Sequence, residues 1–272
     1  MALSNDRVIA RGLTPHRHER EAIDFVIQAL PDRDPVRLWA LIDLVDKSGR
    51  RYDLDLVVVG WHALYLIEIK GHPGRFSGDV VDWRVDFHDG GTARMENPLR
   101  LTAHKARVLG SLLDKTLRGP RPYVQELVFL SDPKVQLGFQ GAAANCIVTR
   151  DTFVRAMTHG EFPGATPQLL GRRIDRPLSQ ETTRALREIG LRESIANRKV
   201  NDLVLEDVLL DRQGYQDHLA RNERLPDLRS RVRTYQVAQG TTEERRRQLL
   251  SAAEREARVL AALSDHPSIL KL

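Results

Sequence analysis

Apolar positions along the chain switch between two periods, and the switches mark its elements. Ile23, Val26, Ile27 and Leu30 recur at helical spacing and predict a helix over His18–Leu30, ended by Pro31. Leu38–Val45, Tyr52–Val59 and Ala63–Lys70 are rich in Val, Ile, Leu and Tyr and read as strands, the first two joined by a turn at Lys47-Ser48-Gly49-Arg50. Trp83, Val85 and Phe87 alternate, which predicts a hairpin over Asp79–Arg94 with Asp89-Gly90-Gly91 at its turn. Asn97 and Pro98 suit the cap and first position of a long helix to about Leu117. Tyr123–Leu130 and Cys146–Thr149 are further strands, and Asp151 caps a short helix through Met157.

These elements make a β-rich block framed by helices over roughly residues 16–160. Gly160–Leu178 carries Gly, Pro and scattered charges and reads as a loop, and Ser179–Ile189 as a capped helix. From Asn201 the composition shifts toward Leu, Asp and Arg. The expected organisation is a first domain over 1–160, a linker with a helix over 161–200, and a second domain over 201–272.

Composition narrows the class. With 272 residues, 29% charged and 41% hydrophobic, the chain is an ordinary globular one and not collagenous, mucin-like or a coiled coil. No run of 18 apolar residues is present, so no membrane partner is expected. Met1–Leu13 lacks a secretory pattern. The lone Cys146 forbids an intrachain disulfide and fits a reducing, cytoplasmic setting. It also denies the histidines a zinc spacing, and in an apolar strand it reads as core. Trp39 and Trp61 read as packing residues. The balance of 42 basic to 37 acidic residues permits a polyanionic partner without demanding one.

The stretch from Tyr52 to Lys70 carries the chemistry. A tight turn at Trp61-His62 pairs Gly60 with Ala63, and in that register Asp55 faces Glu68 and Asp53 faces Lys70. Glu68 and Lys70 share a face. Opposed carboxylates with Cβ atoms about 5 Å apart repel. A divalent cation such as Mg²⁺ relieves that repulsion, and a neighbouring lysine can steady a phosphate. Cross-strand ion pairs on a solvated sheet give the same pattern, but the apolar run Leu64–Ile67 places the carboxylates on a buried strand, where charges need partners.

A helix bearing Glu, a strand with Asp and a strand with Glu-x-Lys together resemble the PD-(D/E)xK nuclease superfamily and, within it, the nuclease-related domain called NERD. The matching pieces are Asp53-Leu54-Asp55-Leu56-Val57-Val58, Leu66-Ile67-Glu68-Ile69-Lys70-Gly71, Gly74, Gly78, Trp83 and Asn97-Pro98-Leu99, within residues 16–157. The resemblance implies an α/β fold with a central mixed sheet flanked by helices, DNA as partner, and Mg²⁺ or Mn²⁺ as cofactor. It implies Asp55 and Glu68 as metal ligands and Lys70 as the catalytic lysine. The family's helix glutamate would be Glu19 or Glu21. Residues 19, 23, 26 and 30 share the apolar face, which favours Glu19. Leu101 stands where many members have a glutamine, and Lys105 is expected to face solvent.

The C-terminal stretch Ala253–Leu272 resembles the αC helix of a protein kinase and the step beyond it, with Glu256 as the helix glutamate and His266-Pro267-Ser268-Ile269 as the following turn. Leu203–Leu210, Gln213-Gly214-Tyr215 and Val232–Val237 would be the first three kinase strands. Tyr235 stands where the ATP-binding lysine belongs, and the loop near Gly214 has one glycine instead of three. Read without the resemblance, Thr242–Leu263 is simply an amphipathic helix.

The expectation is an incomplete kinase-like N-lobe, and for the whole chain the N-terminal part of a W-type kinase of phage growth limitation, or BREX type 2, defence. The implied function is metal-dependent hydrolysis of DNA phosphodiesters. The alternative is a non-cleaving module that binds nucleic acid or partners and regulates that kinase. Other subunits of the defence system and a second copy of the chain are the remaining partners considered.

Overall fold

The computed structural model describes residues 2–12, 14, 16–88, 90–194, 199–212, 215–235 and 243–264. They form two compact units, Met1–Ile195 and Ala196–Leu272.

The first unit is built on a mixed sheet. In chain order its elements are β1 (Val8–Arg11), α1 (Arg17–Ala29), β2 (Arg37–Val45), β3 (Arg51–Val59), β4 (Leu64–Lys70), β5 (Arg75–Gly78), β6 (Asp82–Asp86), β7 (Thr92–Glu96), α2 (Pro98–Thr116), β8 (Val124–Leu130), β9 (Gln136–Leu137), β10 (Ile147–Thr149), α3 (Arg150–His159), α4 (Pro167–Leu170), α5 (Arg176–Glu188) and β11 (Arg192–Glu193). The sheet order is β1-β2-β3-β4-β8-β10, with β11 also on β2. β2, β3 and β4 form an antiparallel meander, while β8 lies parallel to β4 and β10 parallel to β8.

Local chemistry explains the meander. The Asp46 carboxylate accepts the amides of Ser48 and Arg50, closing the β2–β3 turn. The Gly60 amide donates to the Ala63 carbonyl at 3.0 Å, closing the next one. A parallel return needs a crossover, and α2 supplies part of the connection from β4 to β8, capped by Asn97, whose side chain accepts the Leu99 amide at 2.9 Å.

Each face of the sheet has its own core. Ala22, Ile23 and Val26 of α1 pack with Phe153 and Met157 of α3 against Tyr65, Ile67 and Ile69. Ala106, Leu109 and Leu113 of α2 pack with Ala185 and Leu186 of α5 against Trp39, Leu64 and Leu66. The alternation along β4 therefore places Glu68 and Lys70 on the α2 side. A second, four-stranded sheet, β7-β6-β5-β9, contributes Phe76, Trp83 and Val85 to a third cluster.

Several elements differ from the sequence reading. β1 pairs with β2 and was not anticipated. Thr149, in a capping box with Thr152, caps α3 in place of Asp151. α5 starts at Arg176 under an Asp175 cap, and Ser179 lies inside it with its hydroxyl donating to the Pro35 carbonyl at 2.6 Å. The segment read as a linker sends Phe162, Leu169, Ile174, Ala185, Leu186 and Leu191 into the two cores, and the first unit runs to Ile195. Single apolar residues spaced among Gly, Pro and charges carry no period, yet each fills a site on a preformed surface. Asp89, at the tip of the expected hairpin, lies outside the described residues.

The second unit is an antiparallel sheet of β12 (Lys199–Val200), β13 (Leu203–Arg212), β14 (Tyr215–Asn222) and β15 (Arg229–Tyr235), followed by α6 (Glu243–Ser264). Asp217 is fully buried. A buried charge needs partners, and the guanidiniums of Arg231 and Arg233 bind it. Those hydrogen bonds, Arg233 first, outweigh burial and hold its pKa down at about 2. Arg233 also lies over the Tyr215 ring at 4.3 Å, and Glu256 of α6 accepts from both Arg233 and Tyr235. Gln213, Gly214 and His266–Ile269 lie outside the described residues. Among the described residues no helix is long and apolar enough to cross a membrane.

Candidate active site

β3 and β4 pair in the expected register, from Val59 with Leu64 to Leu56 with Ile67, and there the ladder stops. Asp55 is the next residue of β3. Its carboxylate Oδ2 accepts the Ile69 amide at 2.7 Å, so a side chain takes over where backbone pairing ends. The Asp53–Lys70 opposition expected beyond this point does not form in the ladder, and Asp53 is exposed.

The neighbouring strand shows why β3 turns here. Ala40 pairs with Leu56 and Ile42 with Leu54, which sets Leu41 beside Asp55. Leu41 has a φ of 52°, in the left-handed region rarely used by branched side chains. A Cβ on Gly12 would lie 2.2 Å from the Leu41 carbonyl oxygen, so only glycine fits beneath this kink. Leu54 then packs on the α2 side and Leu56 on the α1 side, although residues two apart normally share a face. The strand rotates at Asp55 and aims its carboxylate at the end of β4.

Glu68 lies between two lysines. Lys70 Nζ donates to its Oε1 at 2.8 Å and Lys105 Nζ to its Oε2 at 3.3 Å. The expectation that Lys105 faces solvent is corrected: its side chain is 4% exposed, and Nζ also lies 3.8 Å from Asp53 Oδ1. Lys105 belongs to the buried row Thr102, Lys105, Ala106 and Leu109 of α2. That i, i+3, i+4, i+7 spacing was the available signal, and the lysine head group masked it. Leu101 is exposed and supplies nothing to the site.

Glu19 stands in the first turn of α1, where Thr14 Oγ1 donates to its Oε2 at 2.5 Å. Glu21 points away and pairs with Arg17 at 2.6 Å on the surface. α1 can seat this turn closely because residue 71 is glycine: a Cβ there would sit 2.4 Å from His18 Cβ.

The charges feel one another. Burial, then the charges of Glu68 and Glu19, push Asp55 well above the ordinary carboxylate range. Burial acts the same way on Glu68, but Lys70 and Lys105 outweigh it and hold Glu68 below its usual value. Burial would lower Lys70, and Glu68 more than offsets it, so Lys70 stays charged. Burial first, then His16, His72 and Lys70, lower His18 to about 4, so it is neutral at pH 7.

Asp55, Glu68, Lys70 and Lys105 thus gather at the split between β3 and β4, with Glu19 near enough to act on Asp55 through its charge. The donors are hard oxygens, of the kind Mg²⁺ or Mn²⁺ takes. No group of three or more His, Cys, Asp or Glu capable of enclosing a metal occurs among the described residues. Mg²⁺ commonly takes one or two carboxylates and keeps several waters. Cys146, pushed up to about 11 by burial, is no nucleophile at neutral pH.

Residues 14–131 match NERD, the nuclease-related domain, and this part of the chain is a member of that family. Its central mixed sheet with helices on both faces agrees with the PD-(D/E)xK-like fold expected for it. Over 257 residues, 94% of its length, the chain is 32% identical to a protein of Streptomyces coelicolor (strain ATCC BAA-471 / A3(2) / M145) named probable kinase PglW. It spans 16% of that relative. No solved structure matches the chain significantly.

Proposed function

We propose that the first unit is a Mg²⁺- or Mn²⁺-dependent DNA endonuclease of the PD-(D/E)xK type. The observation that carries this reading is Asp55 bonded to the Ile69 amide where β3 leaves β4, beside a Glu68 that Lys70 holds at 2.8 Å. Asp55 and Glu68 would hold the ion. When bound, it supplies Lewis acidity toward the phosphodiester and a more acidic water. Lys70 keeps Glu68 oriented, and its ammonium can donate to a phosphate oxygen as negative charge builds there. Glu19, which accepts from Thr14 and acts on Asp55 through its charge, would be a further catalytic carboxylate.

The test is plasmid cleavage in Mn²⁺ by wild type, Glu68→Ala and Lys70→Ala, each checked for folding. Nicking by wild type that both substitutions and chelation abolish supports the reading. Equal activity in all three proteins contradicts it.

The relative's printed name makes the larger protein a kinase, and we infer that this chain corresponds to the N-terminal part of such an anti-phage defence kinase. The first unit, Met1–Ile195, would carry its nuclease-related domain, and residues 201–272 would form the start of a kinase-like N-lobe. A second reading, a non-cleaving module that binds DNA or defence-system subunits, draws on the engagement of both Glu68 oxygens by lysines. DNA binding that survives chelation, without cleavage by wild type, is its signature.

A further inference from the structure

Besides Lys105, α2 carries a second row of polar residues. His104, Arg107, Ser111 and Lys115 recur at steps of three and four and form one stripe along the helix. With Val108 and Leu112 they make one wall of a cavity of about 370 Å³, and Asp46, Lys47 and Ser48 of the β2–β3 turn line its other side. The rim is cationic. Among the described residues Lys47, Arg107 and Lys115 form no ion pair within 4 Å, and Arg107 senses Glu126 only at longer range. Asp46, the one carboxylate of the lining, is turned into its own loop, where it accepts from Ser48, Arg50 and Tyr52.

The groove adjoins the site. His104 packs on the Tyr52 ring with centroids 5.7 Å apart, and the next residues of each element, Lys105 and Asp53, approach at the site itself. Both groove and Glu68 lie on the α2 side of the sheet. From His104 to Lys115 the helix rises about 16 Å. At about 3.4 Å of duplex axis per phosphate of one strand, a duplex lying along α2 passes about four or five of that strand's phosphates over this length.

We propose that this groove seats the phosphodiester backbone of the nucleic acid whose scissile bond lies at Asp55, Glu68 and Lys70. The proposal rests on the nuclease reading for the position of that bond. It assigns Lys47, Arg107 and Lys115 to phosphate contacts, which position a strand without reading its sequence. The aliphatic floor of Val108 and Leu112 suits the sugars between them.

The experiment titrates a fluorescein-labelled DNA duplex with the full chain in EDTA, by anisotropy, across a salt series. It compares wild type with the triple variant Lys47→Glu, Arg107→Glu, Lys115→Glu, and with the milder Lys47→Gln, Arg107→Gln, Lys115→Gln. Circular dichroism checks folding, and calorimetry with Mn²⁺ checks the metal site. The expected result is at least tenfold weaker binding by both variants, a salt slope reduced by about 2 to 3, at roughly 0.9 per phosphate contact, and wild-type Mn²⁺ binding. A folded glutamine variant that binds with the wild-type affinity and slope overturns the groove, as does a wild type that does not bind the duplex. Groove-dependent DNA binding by a wild type that takes up no Mn²⁺ sinks the nuclease reading and leaves the groove standing.

Discussion

Lys105 and Glu68 form a buried ion pair between α2 and β4, Nζ to Oε2 at 3.3 Å, and the acidic partner is the residue proposed to hold the metal. Removing one member of a buried pair strands the other charge. Glu68→Ala therefore destabilises the first unit by about 3–5 kcal/mol. Glu68→Ala with Lys105→Met recovers much of that loss. Urea melts of the two single variants and the double variant provide the check, and additive effects would mean that the pair is not coupled.

The raised Asp55 sets a pH dependence for metal uptake. Its carboxylate holds a proton above the ordinary range near 3.9, and a cation must displace it. Mn²⁺ affinity should rise with pH through the interval above 3.9 until Asp55 is fully ionised, with proton release on binding. Calorimetry in buffers of different ionisation enthalpy reads that release. Asp55→Asn removes it.

His18 contributes in the opposite direction. An unfolded imidazole titrates near 6.5, whereas His18 in the fold titrates at about 4. Below 6.5 the unfolded chain takes up the proton first. This histidine therefore weakens the fold progressively as pH falls from 6.5 to about 4. His18→Gln should flatten the acid side of the stability curve over that window. Melting temperature against pH is the measurement, and an unchanged curve would contradict the assignment.

In the second unit, Asp217 ties Arg231 and Arg233 to the sheet, and Arg233 continues to Glu256 on α6. Its depressed pKa stabilises the fold above the unfolded value near 3.9, and that stabilisation is lost as pH falls toward 2. Asp217→Ala leaves two guanidiniums without their shared anion and should speed amide exchange in Tyr215–Asn222 and Arg229–Tyr235. Hydrogen exchange followed by mass spectrometry tests this, and wild-type protection factors would contradict it.

Much of the frame was legible in the sequence because it rests on short-range patterns. The apolar run Leu64–Ile67 identified a buried strand, and the turn between Gly60 and Ala63 set the β3–β4 register. Asn97 and Pro98 marked the start of α2. What stayed hidden depends on tertiary placement. Pairing arithmetic continued the ladder through Asp55, but the kink at Leu41 ends it there and turns the carboxylate onto the Ile69 amide. A lysine on a helix reads as solvated until a buried glutamate stands opposite, which is why Lys105 was missed. β1 is four residues long and gains its order from pairing with β2.

The most direct test of the site is Mn²⁺ titration by calorimetry of wild type and Asp55→Ala at neutral pH. Saturable binding by wild type, lost in the variant while its fold persists, is the expected result. No binding by wild type, or equal binding by both proteins, would contradict it and return Asp55, Glu68 and Lys70 to the role of an ion-pair cluster at a strand split.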